Sequence, residues 1–177
     1  MKKLLIALFV SLSSFSFGQT LGKWSVGVGY TPSIQGGATF AAYGNYHFNN
    51  KWQVGIMPFG WFDSYENPGF SSQKTNSLGL NLTSRYAPIQ LGIFKPYMYS
   101  FVGYGHSTFK YTYQNNPTEI STADYLNFSL GIGSEFSVGR GWSLDANYGY
   151  LRLGFFEDNG YINTMYFSVG ILKRFGK

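Results

Sequence analysis

The chain is 177 residues long, with no cysteine, 12% charged residues, 20% aromatic residues and 23 glycines, where an ordinary soluble domain carries roughly 25% charge and about 7% glycine. The length fits one domain. The missing cysteines exclude disulfide scaffolds, CxxC redox motifs and thiolate zinc sites, and the aromatic content excludes disorder. The formal charge of +5 falls to 11 basic against 8 acidic residues once Lys2 and Lys3 are set aside with the segment read next, so no nucleic-acid partner is expected.

Residues 1–18 read as an export signal. Lys2 and Lys3 form a positive start, Leu4 to Leu12 an apolar stretch, and Ser16-Phe17-Gly18 a small-residue exit before Gln19. The apolar run is shorter than the roughly 20 residues of a membrane-spanning helix. Residues 19–177 are then the mature domain. No later apolar run is long enough for a spanning helix, and glycine recurs too often for long amphipathic helices.

Alternation with a period of two predicts eight strands, at about 23–31, 38–48, 52–62, 75–86, 96–110, 125–137, 142–153 and 162–175. In the first, Trp24, Val26, Val28 and Tyr30 share one face and Ser25, Gly27 and Gly29 the other. The fourth sets Leu78, Leu80, Leu82 and Tyr86 against Ser77, Gly79, Asn81, Thr83 and Arg85; the sixth sets Leu126, Phe128, Leu130 and Ile132 against Asn127, Ser129, Gly131 and Gly133. In the third strand Pro58 cannot donate to a ladder, which predicts a bulge that lets Phe59 and Trp61 change face. In the fifth, Tyr97, Tyr99 and Phe101 compete with Met98, Val102 and Tyr104, and the phase stays open. Asn49-Asn50-Lys51 and Gly139-Arg140-Gly141 read as tight turns, 87–95 as a longer connection on the same rim, and 63–74, 111–124 and 154–161 as long polar loops on the other.

Which face turns outward decides the class of protein. One face is bulky, apolar and almost free of charge, Lys173 being the one charge placed on it; the other consists mainly of Gly, Ser, Thr and Asn. Arginine or lysine at a bilayer midplane costs about 2–4 kcal/mol, so a charge-free apolar face suits lipid. Trp24, Trp52 and Trp142 open odd-numbered strands, while Phe48, Tyr86, Phe136 and Phe175 close even-numbered ones. In an up-and-down meander these seven share a rim, as an interfacial aromatic girdle does, with Tyr30, Phe40, Phe62 and Tyr150 at the other rim. Backbone groups in hydrocarbon must all be paired, which requires the first strand to close on the last. The expected fold is all-β: an eight-stranded antiparallel up-and-down transmembrane barrel with both termini periplasmic. A soluble lipocalin-like barrel, with its apolar face turned inward, is the alternative architecture.

The export signal, the eight strands, the phrases Val26-Gly27-Val28-Gly29-Tyr30 and Phe101-Val102-Gly103-Tyr104-Gly105, and the terminal Val169-Gly170-Ile171-Leu172-Lys173-Arg174-Phe175 resemble the small outer-membrane β-barrel family that includes the OmpA transmembrane domain and OmpX. The resemblance covers the whole mature chain. It implies a Gram-negative outer-membrane location, lipid contact, assembly by the barrel-insertion machinery and a polar, salt-bridged interior. Such barrels often end on the aromatic residue, whereas Gly176 and Lys177 follow Phe175 here.

Four charges fall on the interior face near the periplasmic end: Arg85, Glu135, Asp145 and Arg174, two against two. The 139–141 turn places Glu135 nearly opposite Asp145, and Arg85 and Arg174 are placed to relieve that repulsion. The expected role is a charge-assisted network that plugs the lumen. A paired-carboxylate catalytic site is the sharper alternative. His106 and Ser107 are adjacent and so face opposite sides of a strand; Thr108 or Asp124 would have to complete a catalytic set, and His47 lies among lumen residues at the other end. No catalytic residue, metal ligand or cofactor is therefore expected. Tyr65, Phe70, Tyr113, Glu66, Glu119, Glu157 and Asp158 lie in the outer loops, open to an external partner whose identity the sequence does not give. A narrow pore and a lipid-modifying enzyme are the other functional alternatives.

Overall fold

The computed structural model describes residues 23–32, 37–67, 71–113, 118–156 and 160–175. The export-signal segment, Phe70, Glu157, Asp158, Gly176 and Lys177 lie outside them. Eight strands follow in chain order: β1 Lys23–Pro32, β2 Ala38–His47, β3 Trp52–Asn67, β4 Ser71–Tyr86, β5 Phe94–Tyr113, β6 Glu119–Gly139, β7 Trp142–Phe155 and β8 Tyr161–Phe175. Each pairs antiparallel with its neighbours in sequence, and β1 closes the barrel against β8 from Trp24↔Phe175 to Tyr30↔Val169. The ladder is staggered. Stepping across the pairings from Trp24 leads through Tyr46, Val54, Ser84, Ser100, Leu130 and Tyr150 to Met165, ten residues short of the Phe175 that Trp24 meets directly. Such a stagger tilts every strand against the barrel axis.

The apolar face is the outside. Leu78, Leu80, Leu82 and Leu130 are 66%, 51%, 61% and 53% exposed, while Ser77, Asn81, Ser129 and Arg85 on the alternate face are buried. This excludes the lipocalin-like arrangement. Along the rim of short turns aromatic rings meet one another. Trp24 meets Tyr46 edge-on at 5.0 Å, Tyr46 meets Phe48 at 5.1 Å, Trp52 tilts over Tyr86 at 4.6 Å, and Phe94 over Phe136 at 5.1 Å. Phe175 stands beside Trp24 in the register. Lys173 holds its ammonium over the Trp142 ring, 5.0 Å from the centroid, and donates to the Arg140 carbonyl. In that turn Gly139, Arg140 and Gly141 all take positive φ, which explains the two glycines. In the other tight turn the Asn49 side chain accepts from the Lys51 and Trp52 amides, both at 2.8 Å.

Four expectations are corrected. Pro58 causes no bulge: β3 keeps one register with β4 throughout, and the β2 pairings on either side of it, Ala41↔Phe59 and Gly44↔Ile56, belong to a single register. A missing donor costs a ladder bond, not a slip, so Phe59 and Trp61 stay on the inner face, against the bore. The segments read as loops at 63–74 and 111–124 are mostly strand, because paired β3–β4 and β5–β6 run on past the last β2 and β7 partners as a four-stranded sheet. Arg152 joins Lys173 as a charge on the outer face, stacked at 4.8 Å on Tyr161 near the long-hairpin rim. Finally, the interior is not lined by small residues alone.

Candidate functional site

The phase of β5 settles what fills the bore. Met98, Val102 and Tyr104 are exposed, and Tyr97, Tyr99 and Phe101 turn inward with Tyr43, Tyr125 and Tyr166 from other strands. Glycines on neighbouring strands make room for these rings. A Cβ at Gly133 would enter the Tyr97 ring, and one at Gly105 the Tyr125 ring. Much of the interior glycine is therefore the complement of an interior tyrosine.

Charge collects at the short-turn end. Arg85 on β4 grips Asp145 on β7 through two hydrogen bonds, Nη1 to Oδ1 at 3.2 Å and Nη2 to Oδ2 at 3.1 Å. Both side chains are buried, and the strands lie three apart around an eight-stranded barrel, so the pair crosses the bore almost on a diameter. The Tyr97 hydroxyl donates to Asp145 Oδ1 at 2.7 Å, and the guanidinium lies over the Tyr97 and Tyr43 rings at 4.7 and 5.5 Å. Nearer the rim Arg174 on β8 donates to Glu135 on β6 at 2.5 Å. Glu135 and Asp145 are directly paired across β6 and β7, each with its own arginine. Sequence reasoning missed Lys95, which is buried opposite Glu135 on β5 and makes this cluster three basic residues against two acidic ones. Its signal was the strand phase: once Met98 points out, Lys95 must point in. His47 is also buried at this end, its Nε2 2.9 Å from the Ser25 hydroxyl.

Above Arg85 the bore changes character. It opens into a cavity of about 540 Å³ walled by Met57, Phe59, Trp61, Phe101, Leu153 and Tyr166 and reaching Thr31, Pro32 and Thr39 at the long-hairpin end. The Tyr99 hydroxyl donates to that of Tyr166, which lies 3.0 Å from Ser129 Oγ.

Of the residues considered for catalysis, the serine and the histidine are kept apart. Ser107 points inward, buried, hydrogen-bonded to Ser77. His106 points outward beyond the apolar band, its Nδ1 2.7 Å from Asp124 Oδ1. The hydrogen bond from His106, with a smaller one from Tyr104, holds the Asp124 carboxyl below the usual carboxylate range. Among the described residues no hydroxyl is hydrogen-bonded to His106.

A closed antiparallel barrel with an apolar exterior, an aromatic rim and a polar, partly ionised bore is a membrane-spanning β-barrel, since only closure pairs all its backbone groups in lipid. Residues 4–175 match the outer membrane protein beta-barrel domain family, and the chain belongs to that family. It is an integral outer-membrane protein. Among solved structures, the attachment invasion locus protein Ail of Yersinia pestis is similar at TM-score 0.62 and 17% identity over 88% of this chain and 100% of that one. Neisserial surface protein A is similar at TM-score 0.57 and 17% identity, over 87% and 96%. A major outer membrane protein of Thermus thermophilus is similar at TM-score 0.60 and 15% identity, over 88% and 100%. These likenesses are likenesses of fold. A comparison with curated protein sequences finds no match.

Proposed function

We propose that the protein is a non-conducting outer-membrane barrel with a structural or surface-interaction role. The observation that carries this reading is the Arg85–Asp145 pair, bidentate, buried and laid across the bore with Tyr97 bonded to it. Such a pair holds its geometry because breaking it strands a charge away from water. Glu135, Arg174 and Lys95 form a second polar layer below it. Strand number agrees, since open aqueous channels generally take about 16–18 strands.

In this reading residues 1–18 direct export, both termini face the periplasm, lipid surrounds the apolar face and the final strand ending at Phe175 is what the assembly machinery engages. The β3–β4 and β5–β6 hairpins project outward, carrying exposed Tyr65, Tyr113 and Ile120 toward an external partner. No catalysis is assigned, because His106 and Ser107 lie on opposite faces of the wall. The test is ion conductance of the purified protein in a planar lipid bilayer. The unaltered barrel is expected to stay silent and Arg85→Ala to conduct; steady current through the unaltered barrel contradicts the reading. Release of fatty acid from lipid, abolished by His106→Ala, would contradict the non-catalytic assignment.

A further inference from the structure

The cavity above the Arg85–Asp145 floor is unused by a purely structural barrel. We propose that it binds a small, uncharged, flat aromatic molecule bearing hydroxyl groups, which enters from the long-hairpin end. Its volume of about 540 Å³ falls within the roughly 300–1,000 Å³ of small-molecule sites. The walls specify the body of the ligand. Phe59, Trp61, Phe101 and Tyr166 present rings from β3, β5 and β8, and Met57 and Leu153 fill between them, so a flat aromatic molecule gains stacking that a flexible chain does not.

Charge sets the second requirement. Among the described residues the one ionised side chain lining the cavity is Arg85, and both of its Nη atoms already bond Asp145. An anionic ligand would have to compete with that pair, and a cationic one would meet a guanidinium. The third requirement comes from Asn81 and Asn127, which line the cavity, are each 3% exposed and have amide oxygens without a hydrogen-bond partner. Rotation about the soft terminal torsion turns either oxygen to a hydroxyl donor. The route inward is marked by rings as well. Phe109 and Tyr111 stack at 6.5 Å on the projecting sheet, on the same face as Trp61.

The experiment uses the folded protein in phospholipid nanodiscs with ¹³C-labelled methionine methyls, titrated with 2-naphthol, a neutral flat phenol. Met57 lines the cavity and Met98 faces outward, so one spectrum separates bore from lipid. The Met57 signal is expected to shift saturably while Met98 moves linearly with partitioning. Ala41→Trp, which fills the cavity from β2, is expected to weaken binding at least about tenfold while keeping the compact unboiled electrophoretic form. Thr83→Trp replaces it if that variant does not fold. A Met57 signal that tracks Met98 overturns the proposal, and so does one saturated by 1-decanol but not by 2-naphthol, which would make the cavity an acyl-chain site. Conductance is not read in this experiment, so its failure is distinct from failure of the closed-bore reading.

Discussion

The two ends of the bore are built from the same alternation of inward and outward residues, yet they are filled in opposite ways. At the short-turn end the ionisable side chains of Arg85, Lys95, Glu135, Asp145 and Arg174 occupy the interior, all but Lys95 tied in two ion pairs. At the long-hairpin end the inward positions hold Phe59, Trp61, Phe101, Leu153 and Tyr166 around a hollow. The contrast shows that a period of two decides only which side chains enter a barrel. What they do there depends on depth. A charged layer is stable where partners stand across a narrow bore, because each buried charge must be matched on the spot. An aromatic layer leaves space, because its rigid rings do not meet across the middle as the bidentate Arg85–Asp145 pair does.

The largest effect is expected at the charged end. Arg85→Ala leaves Asp145 buried with only Tyr97, and should cost about 3–5 kcal/mol in denaturant unfolding from lipid vesicles. Joint replacement by Arg85→Met and Asp145→Leu should recover most of it, since two apolar side chains leave no charge behind. A second contrast uses glycine. Gly133→Ala drives a methyl into the Tyr97 ring and should cost about 1–3 kcal/mol, whereas a methyl at Gly154 meets open space and should leave the unfolding midpoint unmoved. At the aromatic end Met57→Ala enlarges a hollow that already exists, and should cost less than about 2 kcal/mol, below the range for a packed core. The smallest effect belongs to His106→Ala on the outer surface. Asp124 has its carboxyl held below the usual range, so its contribution is present above ordinary carboxylate pKa values and is lost as pH falls through the depressed one. The stability difference between His106→Ala and the unaltered protein should therefore be small at neutral pH and vanish in acid, as unfolding midpoints across pH would show.

The outer wall is legible in the sequence because lipid tolerates few exceptions: Leu78, Leu80, Leu82, Leu126 and Leu130 have one place to go. Trp24, Trp52 and Trp142 stand at equivalent strand starts, which gives the strands a common rim in the sequence as in the fold. The interior is harder to read, because the bore accepts both paired charges and rings. β5 carries aromatics on both faces, so the sequence leaves its phase open and Lys95 unplaced. The cavity is hidden with it, since a bulge at Pro58 would take Phe59 and Trp61 out of the interior. The long hairpins read as loops because, beyond the apolar band, polar residues such as Ser64, Glu66, Ser72 and Lys74 take the positions that leucines hold lower on the outer face and the alternation fades, although the backbone ladder continues.

The proposal that Arg85–Asp145 divides the bore can be tested from its two sides, because the chain has no cysteine of its own. Asn127→Cys places a thiol above Arg85–Asp145, and Ser143→Cys places one below it, both on the inner face. With the barrel in sealed vesicles of known orientation, a membrane-impermeant maleimide should label the Asn127→Cys variant only from the long-hairpin side and the Ser143→Cys variant only from the short-turn side. Labelling of both variants from either side, with Arg85 and Asp145 intact, would contradict the closed bore.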